Sequence, residues 1–455
     1  MPSVGLSMIV KNGAETLREC LASVAGLVEQ IVVADTGSSD GTPGIARALG
    51  AEVLEIGWQD HFAQARNTAL QAMRTDWVLV LDDDEELDPL AHRYLPRLLG
   101  DPASGGYLLP HRNYLLNRFD HGVYSAWVRP NHSGLRRAQN APAYLEVPVC
   151  RLFRRHPEIY FVGRIHELIE PRITASGFKL KHAPGVLVHN FGALDGEASD
   201  RSRNEYYRQL GRMKVQESPD DPQAWMELGL QEYERFKDYP AAIDCFRKAM
   251  ALPACPPFVY ASLAKLYLEM ASGTLALEVL ERMAASNELL AAEKEHIRGD
   301  ALYNLGRLEE ARAAYQQALA RCPEDSRIES KLGLTEVRLG NLKPGLKKLV
   351  RAVEAAPQIF EMHDRLIKAY VLAEMLPQAA EAAERLLAGF PHPRMFLRAA
   401  SIRQRLNDRQ TARNIIHSGL QLFPQAEELL QARSELAELE RLVSGNNEVR
   451  PSLQG

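Results

Sequence analysis

Five acidic residues in a row, Asp82-Asp83-Asp84-Glu85-Glu86, follow directly on an apolar run from Trp77 to Leu81. A run that short between charged ends is a buried strand, too brief for a membrane span or a long helix. Its carboxylates then emerge together at the strand's C-terminal end, where open α/β sheets place their ligands. Strand residues alternate in direction, so Asp82 and Asp84 can share one cleft while Asp83 points away. Paired hard oxygen ligands suit Mg²⁺ or Mn²⁺ carrying a substrate diphosphate. A charge run taken alone is more often a solvated acidic turn. A calcium loop of the EF-hand type fails, because Leu87 stands where that loop needs glycine. Asp88-Pro89 then reads as an N-cap followed by the first residue of a helix.

The elements that must hold these carboxylates alternate between strand and helix. Val4 to Val10 is a first strand, followed by Lys11-Asn12-Gly13 and an amphipathic helix from Ala14 to about Ala25. Glu29 to Ala34 is a second strand, and its polar end, Asp35 to Gly41, leads to a helix opened by Thr42-Pro43. Glu52 to Ile56 is a short third strand, and a helix through His61 to Met73 returns the chain to the acidic strand. This alternation predicts a parallel, doubly wound sheet with Asp35 and Asp82 on one edge, a ready nucleotide site. Gly37-Ser38-Ser39-Asp40-Gly41 also fits G-x-S-x-G, a nucleophile elbow with Ser39 as nucleophile. That elbow needs an oxyanion donor from an earlier strand–helix loop and a helix that starts at the serine. Only one strand precedes, and Thr42-Pro43 delays the helix, so a loop gripping a nucleotide fits better; a plain turn is the simplest alternative.

Four blocks now stand in a fixed order: LSMIVKNGAETLRECLASV, IVVADTGSSDGT, WQDHFAQARNTAL and WVLVLDDDEEL. Together they resemble the nucleotide-sugar-binding half of family 2 glycosyltransferases, whose GT-A fold is a Rossmann-like, mostly parallel α/β sheet. The resemblance covers about Ser3 to Phe191. It implies a hexosyltransferase-type enzyme in which Asp35 contacts the nucleotide base. Asp82 and Asp84 would be the DxD pair, Asp82 toward the ribose and Asp84 on the metal, Mn²⁺ or Mg²⁺. Asp83, Arg66 and Asn67 join Asp35 and Asp82 as donor-binding candidates, with Trp58 and His166 as further ones. Many relatives carry two adjacent acids after the second strand, and here the second is Thr36. An arginine beside a diphosphate offers bidentate hydrogen bonds and charge. The competing reading is a surface helix with Ala65, Ala69 and Met73 inward and Arg66 in water.

Gly105 to Pro148 is irregular in pattern, in the region where such enzymes vary their acceptor elements. VCRLFRR from Val149 reads as a strand, and Tyr160 to Pro171 contains His166-Glu167. This is no HExxH zinc motif, since Glu170 stands where the second histidine should be. The resemblance places the pair near the acceptor. An inverting transfer needs one carboxylate to take the acceptor's proton, and Glu167 is the candidate base. A salt bridge from Glu167 to Arg164 or another arginine is the competing role. Pro184 to Gly192 is a further strand, after which the resemblance offers His189 as a third metal ligand; a lone histidine there is otherwise simply hydrogen-bonded.

From Arg201 the character changes to helix with a repeat. Ala242, Ala276, Ala311, Gly345, Ala379 and Ala412 recur at steps of 33 to 35, and Pro323, Pro357, Pro391 and Pro424 keep the same step. Trp225-x-x-Leu228-Gly229 and Tyr260-x-x-Leu263-Ala264 open units of the tetratricopeptide type. Six units are expected, closed by a capping helix near Gln425 to Val443, forming an all-α solenoid with a peptide- or protein-binding groove. Arg201 to Arg212 lacks Gly, Ser and Pro richness, and Tyr206, Tyr207, Leu210 and Met213 can form a packing stripe, so a helical bridge is expected.

The whole chain narrows the choice further. At 455 residues it can hold two or three cores, and a net charge of −5 makes no case for nucleic acid or an anionic membrane as main partner. Cys20, Cys150, Cys245, Cys255 and Cys322 have no CxxC spacing, so neither zinc site nor disulfide framework is indicated. No signal peptide or long apolar stretch is present, which points to a cytoplasmic protein. The expected domains are a GT-A transferase over 1–200, a helical bridge over 201–220, repeats with their cap over 221–443, and a disordered tail over 444–455. The expected activity is metal-dependent, inverting transfer of a sugar from a nucleotide donor, UDP-linked by expectation, to a peptide, protein or glycan acceptor. Such a catalytic half with a repeat tail resembles bacterial enzymes, some of which glycosylate peptides. The repeats would bind acceptor, protein partner or a second copy. The competing function is a scaffold whose transferase domain is degenerate.

Overall fold

The computed structural model describes residues 2–115, 128–194, 201–357 and 359–445. The chain divides into two compact units, Met1–Val259 and Tyr260–Gly455. Among the described residues the first is built on ten strands: β1 (Val4–Val10), β2 (Gln30–Asp35), β3 (Glu52–Glu55), β4 (Trp77–Val80), β5 (Glu85–Leu87), β6 (Ser104–Leu115), β7 (Val128–Pro130), β8 (Ala143–Arg154), β9 (Lys179–His182) and β10 (Val188–Asn190). Their order is β3-β2-β1-β4-β8-β6-β10-β5, with β7 on β8 and β9 on β6. Strand β1 has no charged residue and is buried along its whole length, because it lies between parallel neighbours β2 and β4.

The parallel reading describes β3-β2-β1-β4, where strand and helix alternate in sequence. Beyond β4 the alternation stops, and β8 pairs antiparallel with both β4 and β6. The stretch between Gly105 and Pro148, irregular by its pattern, therefore holds most of a long antiparallel pair. Residues 116–127, in the same stretch, lie outside the described residues.

Helices α1 (Leu17–Ser23), α2 (Thr42–Ala48), α3 (Phe62–Ala72), α4 (Ala91–Leu98) and α5 (Glu170–Ala175) cover the sheet. Leu17, Cys20 and Leu21 of α1, Ala46 of α2 and Leu95 of α4 pack on one face with Leu6, Met8 and Trp77. Ala63, Ala65 and Ala69 of α3 and Ile173 of α5 pack on the other with Val78, Val80 and Phe153. Burying each large apolar side chain contributes about 1.5–3 kcal/mol, so the three layers fix the level of the strand ends firmly.

The first unit continues through α6 (Arg201–Glu217), α7 (Pro222–Glu234) and α8 (Tyr239–Ala251). Asp221 caps α7 through the Gln223 amide and Asp238 caps α8 through the Ala241 amide, each just ahead of a proline in the first turn. On α6, Leu210, Gly211, Lys214 and Val215 are the buried positions, whereas Met213 is 37% exposed. The packing stripe thus runs through a lysine in place of the expected methionine, for a reason given below.

In the second unit, which α9 (Pro257–Glu269) enters, follow α10 (Gly273–Glu281), α11 (Glu288–Asn304), α12 (Leu308–Arg321), α13 (Ser326–Arg338), α14 (Leu342–Ala355), α15 (Phe360–Leu372), α16 (Leu376–Gly389), α17 (Pro393–Arg405), α18 (Arg409–Leu422) and α19 (Glu427–Gly445). The recurring small residues sit where paired helices touch. A methyl at Gly333 would lie 2.9 Å from the Gly345 carbonyl, so α13 and α14 meet backbone to backbone. The expected tail falls outside the described residues from 446 on. Among the described residues no helix is long and apolar enough to cross a membrane.

Candidate active site

The acidic strand end opens onto a buried row of alternating charges. Asp82 lies between Arg66, 2.7 Å from one carboxylate oxygen, and Arg151, 2.9 Å from the other. Arg66 pairs in turn with Glu167 through Nε, and Arg151 with Glu85. Glu85 also meets His111 Nε2 at 2.6 Å and accepts the Asp82 amide at 3.0 Å. Glu85 is wholly buried and Arg66 is 6% exposed, so each charge survives only because its neighbour has the opposite sign. Burial would push the Asp82 carboxyl up, but Arg66 and Arg151 hold it well below the usual range. Burial would likewise weaken the Arg66 guanidinium, and Asp82 and Glu167 more than offset that.

Asp84 has no such compensation. It pairs with no cation among the described residues, and burial together with Asp82, Glu85 and Asp83 pushes its carboxyl up to about 7. Asp83 points to the other side and accepts the Thr16 hydroxyl at 2.6 Å. Both carboxylates need neighbours without a side chain: a methyl at Gly192 would lie 2.1 Å from Asp84 Oδ2, and one at Gly13 2.5 Å from Asp83 Oδ2. Uncompensated hard oxygens fit a divalent cation that takes one or two carboxylates and completes its shell with phosphate oxygens and water. No three His, Cys, Asp or Glu side chains converge as a closed metal cage among the described residues.

Asp35, at the end of β2, is 2% exposed. Its Oδ1 accepts the Gly37 and Ser38 amides at 3.0 and 2.9 Å, while Oδ2 is buried without a hydrogen-bond partner. A buried acceptor left open costs about 1–3 kcal/mol, so this oxygen is set for a donor from outside the chain. The loop after β1 clasps the same turn: the Asn12 amide donates to Ser38 Oγ, and Asn12 Oδ1 accepts the Ser39 amide, each at 2.8 Å. Ser39 has an asparagine at its side and no histidine bonded to it among the described residues, which removes the nucleophile-elbow reading.

The remaining candidates are dispersed. Arg66 does not face water; it is the hinge of the charge row, and its Nη1 is buried without a partner. Asn67 uses its amide on both main-chain groups of Phe161, at 2.8 and 2.9 Å, and so fixes the segment that leads to Glu167. Trp58 donates to the Tyr206 hydroxyl at 2.6 Å and packs edge-on against Phe62, away from the carboxylates. His166 is exposed, with a left-handed φ of 51° that turns the chain so that Glu167 faces inward. Glu167 pairs with Arg66, while Arg164 pairs with Glu217, so the foreseen ion pair exists with a different arginine. His189 is buried between Tyr114, 3.0 Å from Nδ1, and Asp88, 3.1 Å from Nε2.

The sequence pattern does not single out Arg151 and His111, and it marks Glu85 only as a member of the acidic run. Arg151 arrives only because β8 pairs antiparallel with β4, which sets Leu152 opposite Leu79. A charged residue inside the otherwise apolar VCRLF was the one signal available.

The comparisons bear on this geometry. Residues 6–159 match the model of the family described as Glycosyl transferase family 2, and residues 237–343 that of a Tetratricopeptide repeat-like domain. Over residues 6–159 the chain is thus similar to family 2 glycosyl transferases. A TPR repeat-containing protein of Synechococcus elongatus is 32% identical over 50% of this chain and 52% of its own length. An uncharacterized glycosyltransferase of Rickettsia felis is 34% identical over 19% of this chain and 30% of its own. The SPbeta prophage-derived glycosyltransferase SunS of Bacillus subtilis is 21% identical over 55% of this chain and 53% of its own. The chain thus spans about half the length, or less, of the curated relatives it matches. The charge row and the Asp35 turn lie within the matched transferase domain, apart from Glu167, which follows its end by eight residues.

Proposed function

We propose that the protein is a metal-dependent, inverting glycosyltransferase that moves a sugar from a nucleotide donor, in our reading UDP-linked, to a peptide, protein or glycan acceptor. The observation that carries this is Asp84, a carboxylate in a negative potential that the chain leaves uncompensated. Mn²⁺ or Mg²⁺ held by Asp84, on the donor side of Asp82, would neutralise the nucleoside diphosphate as it leaves. His189 joins such a shell only by giving up Asp88, so Asp84 is the principal protein ligand in this reading.

The chain's own groups take the other roles. Asp35 offers Oδ2 to an N–H of the base, and Asp83 and the loops around Asn12 and Ser38 bound the nucleoside. Arg66 Nη1 and Arg151 Nε are donors of the charge row without a hydrogen-bond partner among the described residues. Glu167 is the base: Arg66 fixes its Oε1, and Oε2 takes no hydrogen bond among the described residues, leaving it for the acceptor's proton. The helical repeats would hold the acceptor or a protein partner. A cavity of about 560 Å³ in the second unit, with Arg338, Lys368, Arg398 and Arg405 over a floor that includes Leu334 and Val371, supports that role. No disulfide joins the five cysteines, in keeping with the cytoplasmic location that nucleotide-sugar chemistry suggests.

A thermal-shift panel of UDP- and GDP-linked hexoses, with and without Mn²⁺, tests the reading. Stabilisation by one donor that requires the metal is expected. Indifference to every nucleotide would favour the scaffold function instead.

A further inference from the structure

The segment that carries Glu167 is a tight loop. Val162 and Leu168 exchange two backbone hydrogen bonds of 2.9 Å, closing Gly163 to Glu167 between them. Gly163 at φ 101° and His166 at φ 51° are left-handed positions, and at His166, which has a side chain, that conformation costs energy that neighbouring contacts must offset. Its supports come from two sides. From α3, the Phe62 amide donates to the Arg164 carbonyl at 2.8 Å. From α6, Lys214 Nζ donates to the Ile165 carbonyl at 2.9 Å, in the middle of the loop, and Glu217 pairs with Arg164.

Helix α6 lies in neither matched family segment, 6–159 or 237–343. Yet it is fastened to the transferase domain along its length. The Tyr206 hydroxyl bridges Trp58 and Asp60, and Tyr207 stacks on Phe62 with ring centres 6.0 Å apart. Lys214 is 7% exposed, and its ammonium is balanced by Glu227 of α7 at 2.7 Å. A lysine amine so far from water is expensive unless its donors are used, and here they go to one carboxylate and one loop carbonyl. This is why the buried stripe of α6 passes through Lys214 and leaves Met213 outside.

We propose that Lys214 and Glu217 are positioning residues of the transferase site, through which α6 holds the Gly163–Glu167 loop so that Glu167 stays against Arg66. This rests on the transferase reading above. The consequence is that the catalytic frame does not end with the family 2 segment: it includes the helix that precedes the repeats.

The test uses the full-length chain and two readouts. Lys214→Met keeps the length and packing of the side chain and removes its hydrogen bonds; Lys214→Arg restores a donor. Hydrogen exchange at the Val162 and Leu168 amides should speed up roughly tenfold in Lys214→Met, with β1 and β2 unaffected. With Mn²⁺ and the UDP-linked hexose that most stabilises the wild type, kcat should fall by roughly one to two powers of ten while the donor KM stays within about twofold. Lys214→Arg should recover most of both. Glu217→Gln, at an exposed position, should give a weaker version of the same pattern and serves if Lys214→Met does not fold. Unchanged exchange and kcat would overturn the proposal. So would faster exchange spread evenly over the sheet, which marks general destabilisation, or a loss that Lys214→Arg does not rescue. If the wild type turns over no donor, the transferase reading falls, and the exchange arm still decides whether α6 clamps the loop.

Discussion

Asp84 in the transferase domain and Asp300 in the helical unit are both aspartates set among other charged side chains, and burial pushes both carboxyls up. They end on opposite sides of the usual value, Asp84 at about 7 and Asp300 at about 2. The difference lies in who the neighbours are. Asp300 has Lys331 at 2.5 Å and the Tyr315 hydroxyl at 2.7 Å, with His296 close by. Asp84 has Asp82, Glu85 and Asp83. The helical cluster balances its own charge and ties α11 to α12 and α13. The strand-end cluster gives Asp82 and Glu85 cationic partners and leaves Asp84, Asp35 Oδ2, Arg66 Nη1 and Arg151 Nε open. The Asp300 carboxylate is satisfied within the chain, and the Asp84 carboxylate is not.

The comparison breaks first at Asp84. Asp84→Ala should weaken Mn²⁺-dependent donor binding by roughly two powers of ten or more, since a Lewis-acid metal supplies several kcal/mol. The melting temperature without ligand should hold or rise, because the substitution removes repulsion. Calorimetric titration with donor and metal measures the first, and wild-type affinity in the variant would sink the metal assignment.

Glu167→Gln keeps shape and hydrogen bonding but accepts no proton. Turnover should drop by roughly two to four powers of ten with donor affinity nearly intact. A large loss of donor binding instead would move Glu167 out of the base role and into the nucleotide site.

Asp300→Asn should act on stability alone. It leaves Lys331 without its carboxylate, at a cost of about 2–3 kcal/mol, less than a fully buried pair because both side chains keep some contact with water. The double variant with Lys331→Met should cost less than the sum of the two single ones. Additive losses in denaturant titrations would show that the pair is not a unit.

The smallest effect is in pH. Asp300's folded carboxyl lies below its unfolded value of 3.8, so its contribution is complete above about pH 4 and disappears as pH falls toward 2. It amounts to about 2 kcal/mol at 1.36 kcal/mol per unit. Asp84 has the reverse sign: its folded value is raised, so the first unit should lose stability as pH climbs from about 4 to 7. Mn²⁺ with bound nucleotide should flatten that second slope. Melting curves across pH 2 to 8, with and without both, separate the two trends.

Much of this was legible in the sequence for local reasons. Apolar runs between turn residues mark β1, β2 and β4, and the acidic run after Leu81 marks the end at which ligands gather. A repeat of 33 to 35 residues in small side chains marks the helical pairs, because only a small residue lets two helix backbones touch. These are properties of neighbours along the chain, where periodicity and turn chemistry are written.

What decided the site was of another kind. Arg66 lies buried between Asp82 and Glu167, one 16 and the other 101 positions away, and Arg151 reaches Asp82 from 69 positions away. Asn67, read as a donor contact, is spent on Phe161, and Lys214, an ordinary lysine in a helix, grips the loop of Glu167. By itself the sequence determined β1 to β4, the helical repeat and which carboxylates reach the sheet edge, whereas β6 and its pairing with β8 were not legible in it. Only the tertiary structure decided which of those carboxylates find cations and which stay open, because charge compensation depends on distances across paired strands and packed helices, and no spacing along the chain encodes them.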